Sequence, residues 1–402
     1  MLLNFHDYRA QARKRLPRFL FDYIDRGAED ETAPRQHRAD LDALRFRPDM
    51  LTGHATRDLS VVVFNKQLPF PLIVAPTALA GLVLHNGEIA LARGAETLSL
   101  PYCVSTQAIT SIEAIRAGAP EADLWFQLYV WKNREQMRSL LQRVAGCGID
   151  TLVVTADTPV LPNREYNLRN GLTTPLQPSF RVALDLALHP RWSLQVLTTY
   201  LRQGGLPQLG NYPPAFRTRV GRAAMAADFT IDHCLSWRDI AELRRAWSGR
   251  LLVKGILTVN NAEQAFREGA DGIVVSTHGA RNLDSVVSTA RALPPIADAV
   301  GDKLTLLADS CIQRGSDVIK YLALGARAVM LGRAPLWGLT AGGQKGAEAM
   351  LTLLGREIDL TLALLGREAL SDLEGCIDKE DGGDANPRSN CSLAARSALE
   401  QV

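Results

Sequence analysis

The chain lacks the paired cysteines that hold zinc or staple a small secreted fold. Its six cysteines, Cys103, Cys147, Cys234, Cys311, Cys376 and Cys391, are scattered without CxxC spacing. Neither a disulfide framework nor a metal site is expected, and a reducing cytoplasm fits best. No apolar run approaches the roughly 18 to 20 residues needed to span a bilayer. The first twenty residues carry Arg9, Arg13, Lys14, Arg15 and Arg18 among apolar ones. That pattern argues against a secretory signal and for an amphipathic helix. With a formal charge of only +2 and no Lys/Arg stripe interleaved with aromatics, nucleic acid is discounted as a partner. No G-x-G-x-x-G fingerprint opens a helix, which disfavours a nicotinamide dehydrogenase.

Hydrophobic residues make up 47% and charged residues 22% of the 402, enough for a substantial core. Short β-rich runs recur with helix-like segments between them: Pro71 to Ala75, Tyr102 to Ser105, Leu124 to Tyr129, Thr151 to Thr155, Leu251 to Lys254, Gly272 to Ser276, Leu304 to Asp309 and Ala328 to Leu331. Eight alternating units predict an α/β fold of the closed (β/α)8 type, a TIM barrel, rather than an open sheet. Met1 to Asp49 reads as an N-terminal helical segment, and the hairpin-like run Leu59 to Leu68 as a cover for the barrel bottom. Residues 1–375 are expected to form one domain, with a polar, mobile tail over 376–402.

One crossover, after the fourth strand, is far longer than a βα loop. Its middle, Phe180 to Arg202, alternates Val182, Leu184, Leu186, Leu188, Trp192, Leu194, Val196, Leu197 and Tyr200 with Arg181, Asp185, His189 and Arg191. The insertion, about 171–213, reads either as a monotopic membrane patch or as a lid or oligomer interface.

The chemistry gathers at the strand ends. The run Gly272-Ile273-Val274-Val275 leads into Ser276-Thr277-His278-Gly279-Ala280-Arg281-Asn282-Leu283-Asp284. An imidazole titrates near neutrality and can take a proton, while a guanidinium three residues on offers forked donors that match a carboxylate. A small hydroxy or keto acid is the natural guest. The other strand ends supply Pro76-Thr77-Ala78, Ser105, Gln127-Leu128-Tyr129, Thr155-Ala156-Asp157, Arg164, Lys254, Asp309 and Gly332-Arg333.

Taken together with Leu16-Pro17, Phe21-Asp22-Tyr23, Gly27-Ala28-Glu29-Asp30, Phe126 to Val130 and Leu252-Val253-Lys254-Gly255, this order resembles the FMN-dependent L-2-hydroxy acid oxidases and dehydrogenases over about Asn4 to Gly366. His189 to Leu194 and Leu206 to Asn211 look most like the insertion of the membrane-associated bacterial (S)-mandelate dehydrogenases. The resemblance implies FMN as cofactor and His278 as catalytic base, with carbanion and hydride routes left open. It implies that Asp157 orients the imidazole, that Arg281 and Tyr23 bind the substrate carboxylate, that Tyr129 donates to the substrate oxygen, and that Arg164 adds positive potential. Lys254 is implied beside the flavin pyrimidine. Pro76, Thr77, Ala78, Ser105, Gln127, Thr155, Ser276, Asp309, Gly332 and Arg333 are implied as further FMN contacts, the last two at the phosphate.

The family's Asp-Gly/Ser-Gly-x-Arg-Arg-Gly reads here Asp309-Ser310-Cys311-Ile312-Gln313-Arg314-Gly315. Gln313 replaces a phosphate-binding cation, which costs about 1 to 3 kcal/mol of FMN binding unless Arg333 or Arg314 compensates. Thr277 stands for the usual asparagine and Asn282 for a glutamine, while Gln107 stands where glycolate oxidase has a tryptophan, making room for a larger or more polar side group. The expected activity is oxidation of an (S)-2-hydroxy acid, mandelate-like ahead of lactate. The electrons are expected to pass to a quinone or other respiratory acceptor from a tetramer on the inner face of the membrane. Rival readings are a soluble oxidase using oxygen, a non-redox FMN isomerase, and a barrel that has lost its flavin.

Overall fold

Strand alternation does most of the placing in this molecule. The computed structural model describes residues 1–170, 180–203, 205–213 and 231–378. Its strands are β1 (Val61–Val63), β2 (Lys66–Leu68), β3 (Leu72–Val74), β4 (Tyr102–Ser105), β5 (Leu124–Leu128), β6 (Thr151–Thr155), β7 (Arg250–Ile256), β8 (Gly272–Val275), β9 (Thr305–Ala308) and β10 (Ala328–Leu331). The last eight close into a parallel barrel in the order β10-β3-β4-β5-β6-β7-β8-β9, with helices in the crossovers: the expected (β/α)8 barrel.

Successive residues of a strand face opposite sides. One set meets the surrounding helices in the large outer core. The other, including Ile73, Cys103, Trp125, Val153, Leu252, Val274, Leu307 and Met330, packs as a separate apolar cluster with Val63 and Leu68 of the β1–β2 hairpin. Phe64 and Asn65 at the hairpin tip have φ of 49° and 63°, as a primed two-residue turn requires. The Phe64 ring lies 6.0 Å from Trp125, so the hairpin closes the barrel floor as predicted.

Three N-terminal helices, Phe5–Arg15, Arg18–Asp25 and Thr32–Ala43, carry Tyr23 to the opposite rim. They are tied there by the nonapeptide. Asp284 accepts from the N–H groups of Thr32 (3.0 Å) and Ala33 (2.6 Å), serving as a remote cap for the third helix. The Ala28 N–H donates to the carbonyl of Ala280 at 3.2 Å.

The described part of the insertion folds as a helix Phe180–Leu188 and a helical run from Pro190 to Arg202 that includes a π-turn, Ser193–Leu197. Its inner face is pinned to the short helix Ala80–Val83 that follows β3: Trp192 Nε1 donates to Leu82 O at 2.7 Å and Tyr200 Oη to Gly81 O at 3.0 Å. Its outer face leaves Phe180, Leu184, Leu188, Leu194 and Leu201 exposed. No helix among the described residues is long and apolar enough to cross a membrane. Residues 171–179, also assigned to the insertion, lie outside the described residues. At the other end, Cys376, where the polar tail was expected to begin, is buried and Ile377 bridges to Phe46. Residues 379–402 lie outside the described residues.

A second anchor is Asn211, whose Nδ2 donates to Ser105 O at 3.1 Å and whose Oδ1 accepts from Ile112 N–H at 2.8 Å. Asn211→Ala leaves the buried Ile112 N–H without a partner and removes one of the two hydrogen bonds to Ser105 O, which also accepts from the Ala108 N–H. It is expected to cost about 1 to 3 kcal/mol, read as a lower urea midpoint with an unchanged slope. An unshifted midpoint would remove Asn211 as an anchor.

Candidate active site

Two residues beyond the inward apolar layer, six of the eight barrel strands carry a polar side chain at the next inward position. Cys103 is followed by Ser105, Trp125 by Gln127, Val153 by Thr155, Leu252 by Lys254, Val274 by Ser276 and Leu307 by Asp309. A polar ring therefore sits on an apolar plug, under a cavity of about 490 Å³ at the C-terminal rim. Ser105 Oγ donates to Gln127 Oε1 (3.1 Å) and Gln127 Nε2 to Thr155 Oγ1 (2.9 Å), so the glutamine amide is locked. Lys254 Nζ lies 2.8 Å from Asp309 Oδ2 and donates to Ser276 Oγ at 2.6 Å. Burial alone would lower the Lys254 pKa, but Asp309 and then Asp157 outweigh it and hold the ammonium above its usual range.

The acid/base pair is built from β6 and β8. Asp157 Oδ1 is 2.9 Å from His278 Nδ1. A carboxylate only accepts, so Nδ1 carries the proton of the neutral ring and Nε2 is left as its basic nitrogen. Burial raises the Asp157 pKa, yet His278 and Lys254 outweigh it and keep the carboxyl below its ordinary value. A β-bulge after Lys254 makes this approach possible. Gly255 has φ of +103°, and a Cβ there would lie 2.5 Å from the Asp157 Cβ. His278, Gly279 and Ala280 all have left-handed backbone, φ of 56°, 67° and 60°, a strain that re-aims the chain at the rim.

Three arginines complete the cavity. Among the described residues none of Arg164, Arg281 and Arg333 has a carboxylate within 4.0 Å, whereas Arg9, Arg26 and Arg38 nearby are all ion-paired. They are held by carbonyls and rings instead. Arg164 Nε donates to Arg281 O at 3.0 Å, Arg281 Nη1 to Arg26 O at 3.0 Å, and Arg333 Nε to Ile24 O at 2.9 Å. The Arg281 guanidinium also lies 5.0 Å from the Tyr23 ring centre. Burial first, then the neighbouring Arg281, pulls Arg164 and Arg333 below their ordinary range. Burial, with Asp157 and Tyr23 close by, pushes the Tyr129 phenol up, so it stays a proton donor.

Of the predicted site residues, Tyr23, Pro76, Thr77, Ala78, Ser105, Gln127, Tyr129, Thr155, Arg164, Lys254, His278, Arg281, Asp309, Gly332 and Arg333 line this one cavity. Asp157 and Ser276 stand behind it, bonded to His278 and Lys254. Gln313 faces the cavity, but Arg314 does not compensate for it: Arg314 donates to Glu357 at 2.8 Å, away from the lining. Asn282 was not singled out for the site, yet its Nδ2 donates to Asp157 O (2.8 Å) and its Oδ1 accepts from Arg164 (3.2 Å). Its place four residues after His278 was the available signal.

The sequence pattern described as FMN-dependent dehydrogenase matches residues 12–379. The chain is 42% identical over 371 residues to an L-lactate dehydrogenase of Xanthomonas campestris pv. campestris (strain 8004), covering 92% of this chain and 95% of that one. It is 39% identical over 377 residues to an L-lactate dehydrogenase of Pseudomonas syringae pv. syringae (strain B728a), covering 92% and 97%. It is also similar to the crystal structure of the monotopic membrane protein (S)-mandelate dehydrogenase, with a TM-score of 0.89 and 38% identity over 94% of this chain and 100% of that one.

Partly buried cations without carboxylate partners make the cavity a receptor for anions. Oxalate is therefore expected to raise the thermal midpoint, by the equivalent of about 2.7 kcal/mol at a hundredfold excess over its Kd. Neutral oxamide of the same shape should leave it in place. Equal shifts in scanning fluorimetry would exclude the arginines as the source.

Proposed function

Because the chain belongs to the FMN-dependent dehydrogenase family, we propose that it oxidises (S)-2-hydroxy acids to 2-keto acids, mandelate-like substrates ahead of lactate, and passes the electrons to a quinone or other respiratory acceptor. The observation that carries the reading is the group of three arginines without carboxylate partners beside a basic His278, above a polar ring. At the coarser level the chain is an FMN-dependent 2-hydroxy acid oxidoreductase.

The residues fit FMN at its ring end. Ser105, Gln127 and Thr155 form a neutral hydrogen-bonding edge, Lys254 and Ser276 add a cation and a hydroxyl, and Thr77 Oγ1 is buried without a partner inside the described structure. Pro76, Thr77 and Ala78 would lie against the ring and Asp309 near the ribityl chain. At the phosphate end Gly332 leaves open space, with only Thr77 at 4.0 Å from a built Cβ, and Arg333 is the cation at hand. FMN, when bound, supplies the two-electron acceptor.

The protein's own part is binding, orientation and proton handling. Arg281 and Tyr23 hold the substrate carboxylate, a forked donor plus a phenol, and so fix the α-carbon above the cofactor. Tyr129, kept protonated by burial, donates to the substrate's α-oxygen. Oxidation of the alcohol removes two electrons and two protons; His278 takes one proton at Nε2, and the other goes with the electron pair to FMN when it is bound. Asp157 stabilises the resulting imidazolium, as a buried carboxylate does in a catalytic triad. Arg164, anchored through Asn282 to the Asp157 loop, adds positive potential where negative charge develops.

Peripheral attachment to a membrane is supported by the exposed apolar row on the insertion and by a structural neighbour that is itself a monotopic membrane protein. Assembly into a homo-oligomer, a tetramer by analogy, belongs to the same proposal.

The purified protein should be yellow, and anaerobic addition of (S)-mandelate should bleach it faster than L-lactate or glycolate. Bleaching fastest with glycolate would overturn the substrate order. His278→Gln should retain FMN and slow bleaching by about 10²- to 10⁴-fold, the usual worth of a general base. In cell fractionation the chain should sediment with membranes, and Leu184→Arg with Leu188→Arg should release it while leaving bleaching unchanged. A wild-type chain found wholly in the supernatant would end the membrane reading.

A further inference from the structure

At the wall of the cavity a chain of buried hydrogen bonds runs from Thr277 to Lys254, with His37 of the helix Thr32–Ala43 packed against its outer end. Asp309 is paired with Lys254 through Oδ2 and accepts the Ser310 hydroxyl on Oδ1 at 2.7 Å. Thr277 Oγ1 lies 2.9 Å from Ser310 Oγ, and His37 Nδ1 lies 3.3 Å from Thr277 Oγ1. His37 Nε2 meets the carbonyl of Val286 at 3.0 Å. All five residues are buried.

The proton directions follow from what each group can do. A carboxylate only accepts, so the Ser310 proton goes to Asp309. The Ser310 oxygen also accepts the backbone N–H of Gly279 at 3.1 Å. With its own proton committed, Ser310 can meet Thr277 at 2.9 Å only by accepting the Thr277 proton. A carbonyl also only accepts, so His37 donates through Nε2 and its Nδ1 carries a lone pair; with the Thr277 proton given to Ser310, the 3.3 Å approach of Nδ1 to Thr277 Oγ1 is a packing contact, and the relay begins at Thr277. Each donor withdraws charge from the next acceptor, and in a buried network such polarisation accumulates.

The end of the chain is the Asp309–Lys254 pair. The more strongly Ser310 donates to Asp309, the less of the Lys254 charge Asp309 neutralises. Given the proposed position of Lys254 beside the flavin, we propose that Ser310 and Thr277 are positioning residues that set the cofactor's reduction potential through the Asp309–Lys254 pair. Ser310 has φ of +84°, a left-handed backbone at which glycine is the easier residue, so the hydroxyl is held at a conformational cost. Its partner Thr277 stands where related proteins carry asparagine.

The test is the midpoint potential of FMN in the full-length holoprotein, measured by dye equilibration. Removing the hydroxyl in Ser310→Gly, which suits the backbone, should lower the reduced-to-oxidised ratio at fixed poise about tenfold, which is about 30 mV for a two-electron couple. Thr277→Val should lower it about threefold, Thr277→Ser should restore it, and the double variant should match Ser310→Gly alone. Lys254→Met is the control for the underlying reading. If it lowers the potential while Ser310→Gly and Thr277→Val do not, the relay is refuted and Lys254 keeps its assigned place. If Lys254→Met leaves the potential unmoved, that placement and the relay both fall. Additive effects in the double variant would also overturn the relay, because Thr277 would then act independently of Ser310.

Discussion

The site depends on a two-residue period. Because strand residues alternate between faces, the side chain above an inward apolar residue is fixed two positions later. Six strands use that position for Ser105, Gln127, Thr155, Lys254, Ser276 and Asp309, directly above a dry cluster floored by the β1–β2 hairpin. The consequence is rigidity. A buried lysine is tolerable only with its carboxylate and hydroxyl in contact, and the apolar layer beneath prevents either from moving away. A one-residue slip of any of these strands would turn a polar group into the helix layer and an apolar one into the cavity.

The positive groups at the rim have the opposite character. Arg164, Arg281 and Arg333 are partly buried, near one another and satisfied by carbonyls rather than carboxylates. Such an arrangement is unfavourable for the ligand-free protein, since burial and like charge both penalise the guanidinium ions. A bound anion offsets the same penalty, so the arrangement favours anionic ligands. The left-handed run His278-Gly279-Ala280 is a second stored cost at the same place. Both are held by the N-terminal helices, which accept the arginine donors at Ile24 and Arg26 and are capped by Asp284.

Much of this was legible in the chain itself. The eight strand runs and their terminal polar residues were readable because period and composition are local properties. The nonapeptide was readable because histidine and arginine sit within one loop. What escaped was what sequence distance hides. Asn282 links Arg164 to the Asp157 loop across more than a hundred residues, and His37 reaches Thr277 from a helix 240 positions away. Neither carries a local pattern. The direction of Arg314 was likewise undetermined, because a helix start can turn a side chain to either side; here Glu357 draws it outward. Gln313 therefore faces a cavity that Arg333 also lines.

The insertion joins the barrel to the surface. Its inner face saturates main-chain carbonyls at Gly81 and Leu82, just beyond the Pro76 to Ala78 stretch that lines the cavity. Asn211 does the same at Ser105, and the Tyr212 ring packs 4.7 Å from Trp131 with its hydroxyl against Gln107, a cavity residue. The helices are thus fixed from within, and their outer row is free to meet another phase. Five large apolar side chains at about 1.5 to 3 kcal/mol each for full burial amount to roughly 10 kcal/mol. That exceeds the lower range of association costs and falls short of a spanning helix. Since inner hydrogen bonds and outer burial act on the same rigid helices, attachment would reinforce the loop geometry around the cavity rather than compete with it.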